Sequence, residues 1–159
     1  MLECSFELNN RPMSVLKIGA LSFPAFPGKD GYKNIHSLMC TPGFGAIPAG
    51  RYYIFDRQSG GLIGPIRDRL EEIFIRNRKS EWYALYAIDN HVDDDMTLCD
   101  GLERGNFRLH PKDPAGISEG CVTIEHLHDW VRIRAVLGNI PKQAVSGSSL
   151  KAYGVLTVK

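Results

Sequence analysis

The chain has 159 residues, 43% of them apolar and 23% charged, which suits one soluble domain with a substantial core. Its 19 basic and 18 acidic side chains leave a net charge of +1, which excludes the basic footprint of a nucleic-acid binder and a polybasic membrane patch. No stretch approaches the roughly 18 consecutive apolar residues of a membrane span, and the start, MLECSFELNN, lacks the basic and apolar regions of a signal peptide.

Residues 2–8 and 13–18 read as strands joined by a turn at Asn9–Pro12. Cys4, Phe6 and Leu8 alternate with Glu3, Ser5 and Glu7, the period-two pattern of a half-buried strand. No apolar run precedes Cys4, so it reads as a strand residue and not as a lipidation site. Residues 22–50, rich in Pro, Gly and small polar residues, read as a long irregular excursion. Arg51–Asp56 is a strand, broken by Gly60-Gly61. Pro65–Arg78 reads as a helix, with Ile66, Leu70, Ile73 and Phe74 on one face. Trp82–Ile88 is a β-rich run, Asp89–Asp95 a polar loop, and Phe107–Leu109 and Gly120–Ile124 short strands. A second helix is expected over about Glu125–Leu137, with Leu127, Trp130, Val131 and Arg134 on one side and Gly138 as its stop. Residues 138–149 form a connection and Leu150–Val158 a closing strand. The 16 glycines and 9 prolines, with these short runs, predict a β-rich α+β fold with about two helices, as a single domain over 1–159.

The four cysteines, Cys4, Cys40, Cys99 and Cys121, are widely and irregularly spaced. They form no CxxC zinc or redox pair and no dense disulfide framework. Cys40 and Cys99 read as core or loop residues, with one bridge among Cys4, Cys40 and Cys99 left open. Cys121 stands apart. It ends FRLHPKDPAGISEGC, eleven residues after His110. A thiol attacks as its thiolate and needs a base or imidazolium beside it, together with N–H groups aimed at the oxygen that becomes negative. His110 ends a strand-like run suited to carrying a base. Gly120 lets the backbone turn sharply and approach a substrate, and Ser118 can fix the loop. Cys121 and His110 are therefore the candidate catalytic pair, with Ser118 and Gly120 shaping the nucleophile loop.

Taken together, GAIPAGRYYIFDRQSGG, WYALY and FRLHPKDPAGISEGC resemble, in order, the L,D-transpeptidase catalytic domain. They are most similar to its branch of small effector toxins exported by bacterial type VI secretion, which carries GxIPxGxYYIxDRxSGG, WxALY and FRLHPxxxSxGC. The resemblance spans roughly residues 43–124. It implies a mixed β-sheet or sandwich fold, a Cys121 nucleophile and a His110 base. Pro48, Gly50 and Tyr52 would form a turn into a core strand, and Arg108 is a candidate contact for a substrate carboxylate. The implied substrate is the peptidoglycan stem tetrapeptide, with no cofactor and no metal. The implied setting is synthesis in the cytoplasm, action in a target cell's periplasm, and a cognate immunity protein as partner. Two positions depart from the general pattern: Pro111 follows the histidine where many members have Gly, and Val122-Thr123 follow the cysteine where many have Arg. Loss of that arginine favours carboxypeptidase action or D-amino-acid exchange over cross-linking.

Other chemistries compete with this reading. Glu125-His126-Leu127-His128 contains metal-ligand spacings, but a helix would point His126 and His128 about 200° apart, and zinc needs three converging ligands. A hydrolase using Cys121 with a later histidine would have too little intervening chain. A non-catalytic peptidoglycan-binding domain on the same fold would bind stem peptides without turnover.

Overall fold

The computed structural model describes residues 1–57, 81–89, 95–114 and 118–159. The helix expected at Pro65–Arg78, the Gly60-Gly61 break and most of the Asp89–Asp95 loop lie outside them. The described strands are β1 (Leu2–Phe6), β2 (Ser14–Ile18), β3 (Leu21–Phe26), β4 (Gly50–Asp56), β5 (Tyr83–Ala87), β6 (Met96–Cys99), β7 (Leu102–Gly105), β8 (Arg108–Pro111), β9 (Val122–Ile124), β10 (Gln143–Ala144), β11 (Lys151–Ala152) and β12 (Gly154–Val158). One α-helix, α1 (Leu127–Gly138), lies among them.

Eight strands close into a barrel in the order β1-β12-β4-β5-β8-β9-β3-β2. The expected sandwich is thus corrected to a closed mixed sheet. β1 has a neighbour on each edge, β12 in parallel and β2 antiparallel, so the sheet has no free edge there and no second layer is needed. The close β1–β12 approach depends on Gly154, where a Cβ would sit 2.3 Å from the Leu2 carbonyl oxygen.

Alternation puts Phe6, Leu16, Phe23, Tyr52, Ile54, Leu85, Leu109 and Ile124 into the main core. Burying each such side chain contributes roughly 1.5–3 kcal/mol. β5 is buried on both faces: Tyr83 and Leu85 enter the main core, while Ala84 and Tyr86 join Phe55, Val145 and Ala152 in a second cluster. The β10–β11 hairpin covers that outer face, which gives residues 138–149 a structural purpose. The closing strand expected at Leu150–Val158 is interrupted at Tyr153, whose hydroxyl donates to Asp56 at 2.6 Å.

Two further expectations are corrected, and the cysteine pairing left open is decided. The stretch 22–50 is not irregular throughout, because β3 occupies its start and pairs with β2 along its length. Pro24 is tolerated there: its carbonyl accepts the Glu125 N–H on the β9 side, so its missing donor falls just past the end of β9. The helix starts at Leu127, not Glu125, and buries Trp130, Ile133 and Leu137. Leu127 and Val131, assigned to its inner face, are outside, 67% and 61% exposed. Cys40 and Cys99 are joined by a disulfide across a Cα separation of 5.2 Å, while Cys4 and Cys121 are free thiols. The bridge ties the segment before β4 to the β6–β7 hairpin.

Candidate active site

β8 and β9 run side by side and parallel, pairing Leu109 with Val122 and His110 with Thr123. Leu109 and Val122 point into the core. The alternation therefore turns Arg108, His110, Cys121 and Thr123 to the opposite face. The sequence-predicted cysteine and histidine thus share one face of two adjacent strands, with Cys121 level with Arg108 and one pleat short of His110.

The loop entering β9 is held from two sides. Ser118, buried at 2% exposure, donates its hydroxyl to the Cys121 carbonyl at 2.9 Å and accepts the Gly28 N–H at 3.3 Å. Gly120 adopts φ +103°, and a Cβ there would lie 2.9 Å from Arg104 Nη2, 3.0 Å from the Phe107 ring and 3.1 Å from the Gly45 carbonyl. Both the conformation and the space demand glycine.

His110 is buried on β8. Its Nδ1 lies 2.8 Å from the Pro111 carbonyl, to which it donates, leaving Nε2 as the basic atom, 3.5 Å from the Thr123 hydroxyl. Trp82 stacks on the imidazole at 4.2 Å between centroids. Burial holds the ring below its usual 6.5; the Pro111 carbonyl and Asp113 oppose this, and Arg57 adds to it. Burial likewise pushes the Cys121 thiol up to about 11, against the opposing pull of the Arg108 N–H and charge. At neutral pH the pair rests as thiol and neutral imidazole. The thiol's hydrogen-bond partner is the Asn106 carbonyl at 3.8 Å, not His110.

Arg108 is paired already: its guanidinium grips Asp95 through two bonds of 3.0 and 2.8 Å. Tyr52, in the core, donates to the Pro48 carbonyl at 2.7 Å and braces the turn into β4. His126 caps α1 in an extended conformation, so the expected 200° divergence from His128 is corrected; their rings stack at 5.3 Å. Among the described residues, no three His, Cys, Asp or Glu side chains converge as a metal site.

Cys121 opens onto a cleft of about 300 Å³. One wall comes from Pro42 and Gly43, the other from β7 and its exit, where Arg104 and Asn106 sit. The sequence reading did not single out Arg104, Asn106, Trp82 or Thr123. Trp82 lies in a motif quoted above and Thr123 figured only in the departure after the cysteine, while Arg104 and Asn106 acquire meaning only from their placement in the fold.

A glycine-turned cysteine loop running into a barrel strand, beside a parallel strand that carries a histidine, is the arrangement of an L,D-transpeptidase-like domain. The Tlde1 domain, the L,D-transpeptidase-like domain of type VI secretion effectors, matches residues 22–148, and the chain belongs to that family. No curated protein and no solved structure matches the chain.

Proposed function

We propose that residues 1–159 form a catalytic domain that modifies peptidoglycan stem tetrapeptides through a thioester on Cys121. The observation that carries this reading is the placement of His110 and Cys121 on one face of adjacent parallel strands, with the nucleophile loop fixed by Ser118 and Gly120. Membership of the Tlde1 family supports it.

Cys121 Sγ attacks the carbonyl at the L-centre of the diaminopimelate-type residue. Because the resting thiol is protonated and the imidazole neutral, the proton must leave sulfur for His110 Nε2 as the S–C bond forms. The thiol therefore swings from the Asn106 carbonyl toward His110 when substrate enters, a contact of the kind that tightens only in the complex. The Cys121 N–H, presented by the Gly120 turn, stabilises the oxyanion. Collapse expels D-alanine, whose nitrogen takes the proton back from His110. Water then releases a tripeptide, or a free D-amino acid exchanges for the lost one. The first product has lost, and the second carries in altered form, the donor end that cross-linking enzymes use. We propose, in line with an effector of this family, that the chain acts in the periplasm of a target bacterium and is blocked by a tight-binding immunity protein in its producer.

Mass spectrometry of muropeptides incubated with the protein, with and without D-methionine, tests this. Loss or replacement of the terminal D-alanine, abolished by Cys121→Ala, is expected. Unchanged muropeptides that are nonetheless bound would reject catalysis and leave a binding domain.

A further inference from the structure

Arg104 lies on β7, where it is 3% exposed. Its guanidinium donates to three carbonyls, those of Met39, Gly45 (3.0 Å) and Ala46 (3.4 Å), and stands over the Phe107 ring at 5.4 Å. No carboxylate among the described residues pairs with it. An arginine cannot shed its charge, and burying a cation without a counter-ion is strongly unfavourable. Carbonyl dipoles offset only part of this. Three of its five donors are engaged; among the described residues, Nε–H and one Nη2–H meet no acceptor.

The other basic groups near the cleft are already matched. Arg108 holds Asp95, and Lys29 holds Glu119 at 3.1 Å. Of the acids lining the cleft, Glu119 is thus paired, and Glu103 is solvent-exposed on the strand face opposite Arg104. Arg104 is the charge left over, and its place is telling. Nη2 lies directly under Gly120, one residue from the thiol, and Arg104 lines the same cleft as Cys121. In a stem tetrapeptide the terminal carboxylate lies about one residue length (~3.8 Å) beyond the scissile carbonyl.

We propose that Arg104 is a specificity-determining residue, receiving the free terminal carboxylate of the D-amino acid that leaves or enters beside Cys121. The proposal rests on the reaction described above and names the group that selects its substrate. A carboxylate meeting the two unclaimed donors completes the guanidinium's pairing. It also lets the chain select chain-terminal residues without an arginine following the cysteine.

The test is calorimetric binding to Cys121→Ala protein, which cannot turn over. The ligands are the disaccharide tetrapeptide ending in free D-alanine and the same molecule amidated at that terminal carboxyl alone. The acid is expected to bind about tenfold tighter or more. Adding Arg104→Met should erase the difference, and Arg104→Lys should retain part of it. Equal affinity for acid and amide, binding of neither, or a preference that survives Arg104→Met overturns the proposal. Arg104 also braces three carbonyls, so Arg104→Met is first checked by thermal melting. Should it not fold, the acid–amide comparison in the Arg104 protein and in Arg104→Lys decides. A merely structural arginine would weaken both ligands alike. Turnover by the protein with Cys121 intact reports separately on the reaction.

Discussion

Cys121 rests as a thiol, and its reactivity should show it. Alkylation by iodoacetamide is expected to be slow at pH 7 and to climb as pH rises toward the thiol's raised value of about 11. Cys4 is buried and higher still, at about 12, so it does not obscure the measurement. A plateau of fast alkylation already reached by pH 6 would instead indicate a thiolate–imidazolium pair and refute proton transfer during attack. Gly120 allows a second test. Gly120→Ala must place a Cβ against Arg104, Phe107 and Gly45 at a left-handed φ, so it should cost about 1–3 kcal/mol and most of the activity, as read by urea melts and muropeptide turnover. At this scale the sequence was informative where residue type carries chemistry. Cys121, His110, Ser118 and Gly120 stand in one short stretch with a recognisable order. Arg104 was silent, because the carbonyls it holds belong to residues 39–46, far away in the chain, and its meaning is an absence of acid that only three dimensions reveal.

Parallel pairing of β8 with β9 does more than bring two side chains together. It buries His110 beneath Trp82 and so couples folding to protonation. Above pH 6.5 neither folded nor unfolded chain protonates this ring. As pH falls through 6.5 the unfolded chain binds the proton while the folded ring, held lower, resists, so stability declines on acidification. Denaturation midpoints between pH 7.5 and 5.5 should fall more steeply for the native sequence than for His110→Gln; parallel slopes would count against a buried neutral ring. β1, with its clean alternation, and β4, with its run of aromatic and β-branched residues, were readable. β3 was not, since Pro24 and the neighbouring Pro27 and Gly28 imitate loop composition, and the proline is tolerated only because its missing donor falls past the end of β9. The inner face of α1 was misread because Leu127 and Val131 are apolar yet exposed, whereas Ile133 and Leu137 complete the buried stripe with Trp130.

Barrel closure could not be read from any local pattern, because it rests on β1 pairing with β12 across nearly the whole chain. The Cys40–Cys99 bridge is equally non-local, and spacing alone left it open. It spans 59 residues, and a loop of that size is stabilised by about 4 kcal/mol in the chain-entropy account. Cys40→Ser with Cys99→Ser should therefore lower stability by roughly 2–4 kcal/mol. It should also reduce turnover about tenfold or more, since the bridged segments carry the two walls of the Cys121 cleft and small displacements there are costly. Full activity in the double variant would show that the walls hold without the bridge. If the walls do depend on it, self-protection in a producing cell need not rest on an inhibitor alone. In a cytosol poised by glutathione the two cysteines would stay reduced, which would leave the cleft unfinished. Under the proposed function, the space between the membranes would supply both the oxidant that closes the bridge and the polymer that the finished site attacks, which would put the last step of maturation beside its target.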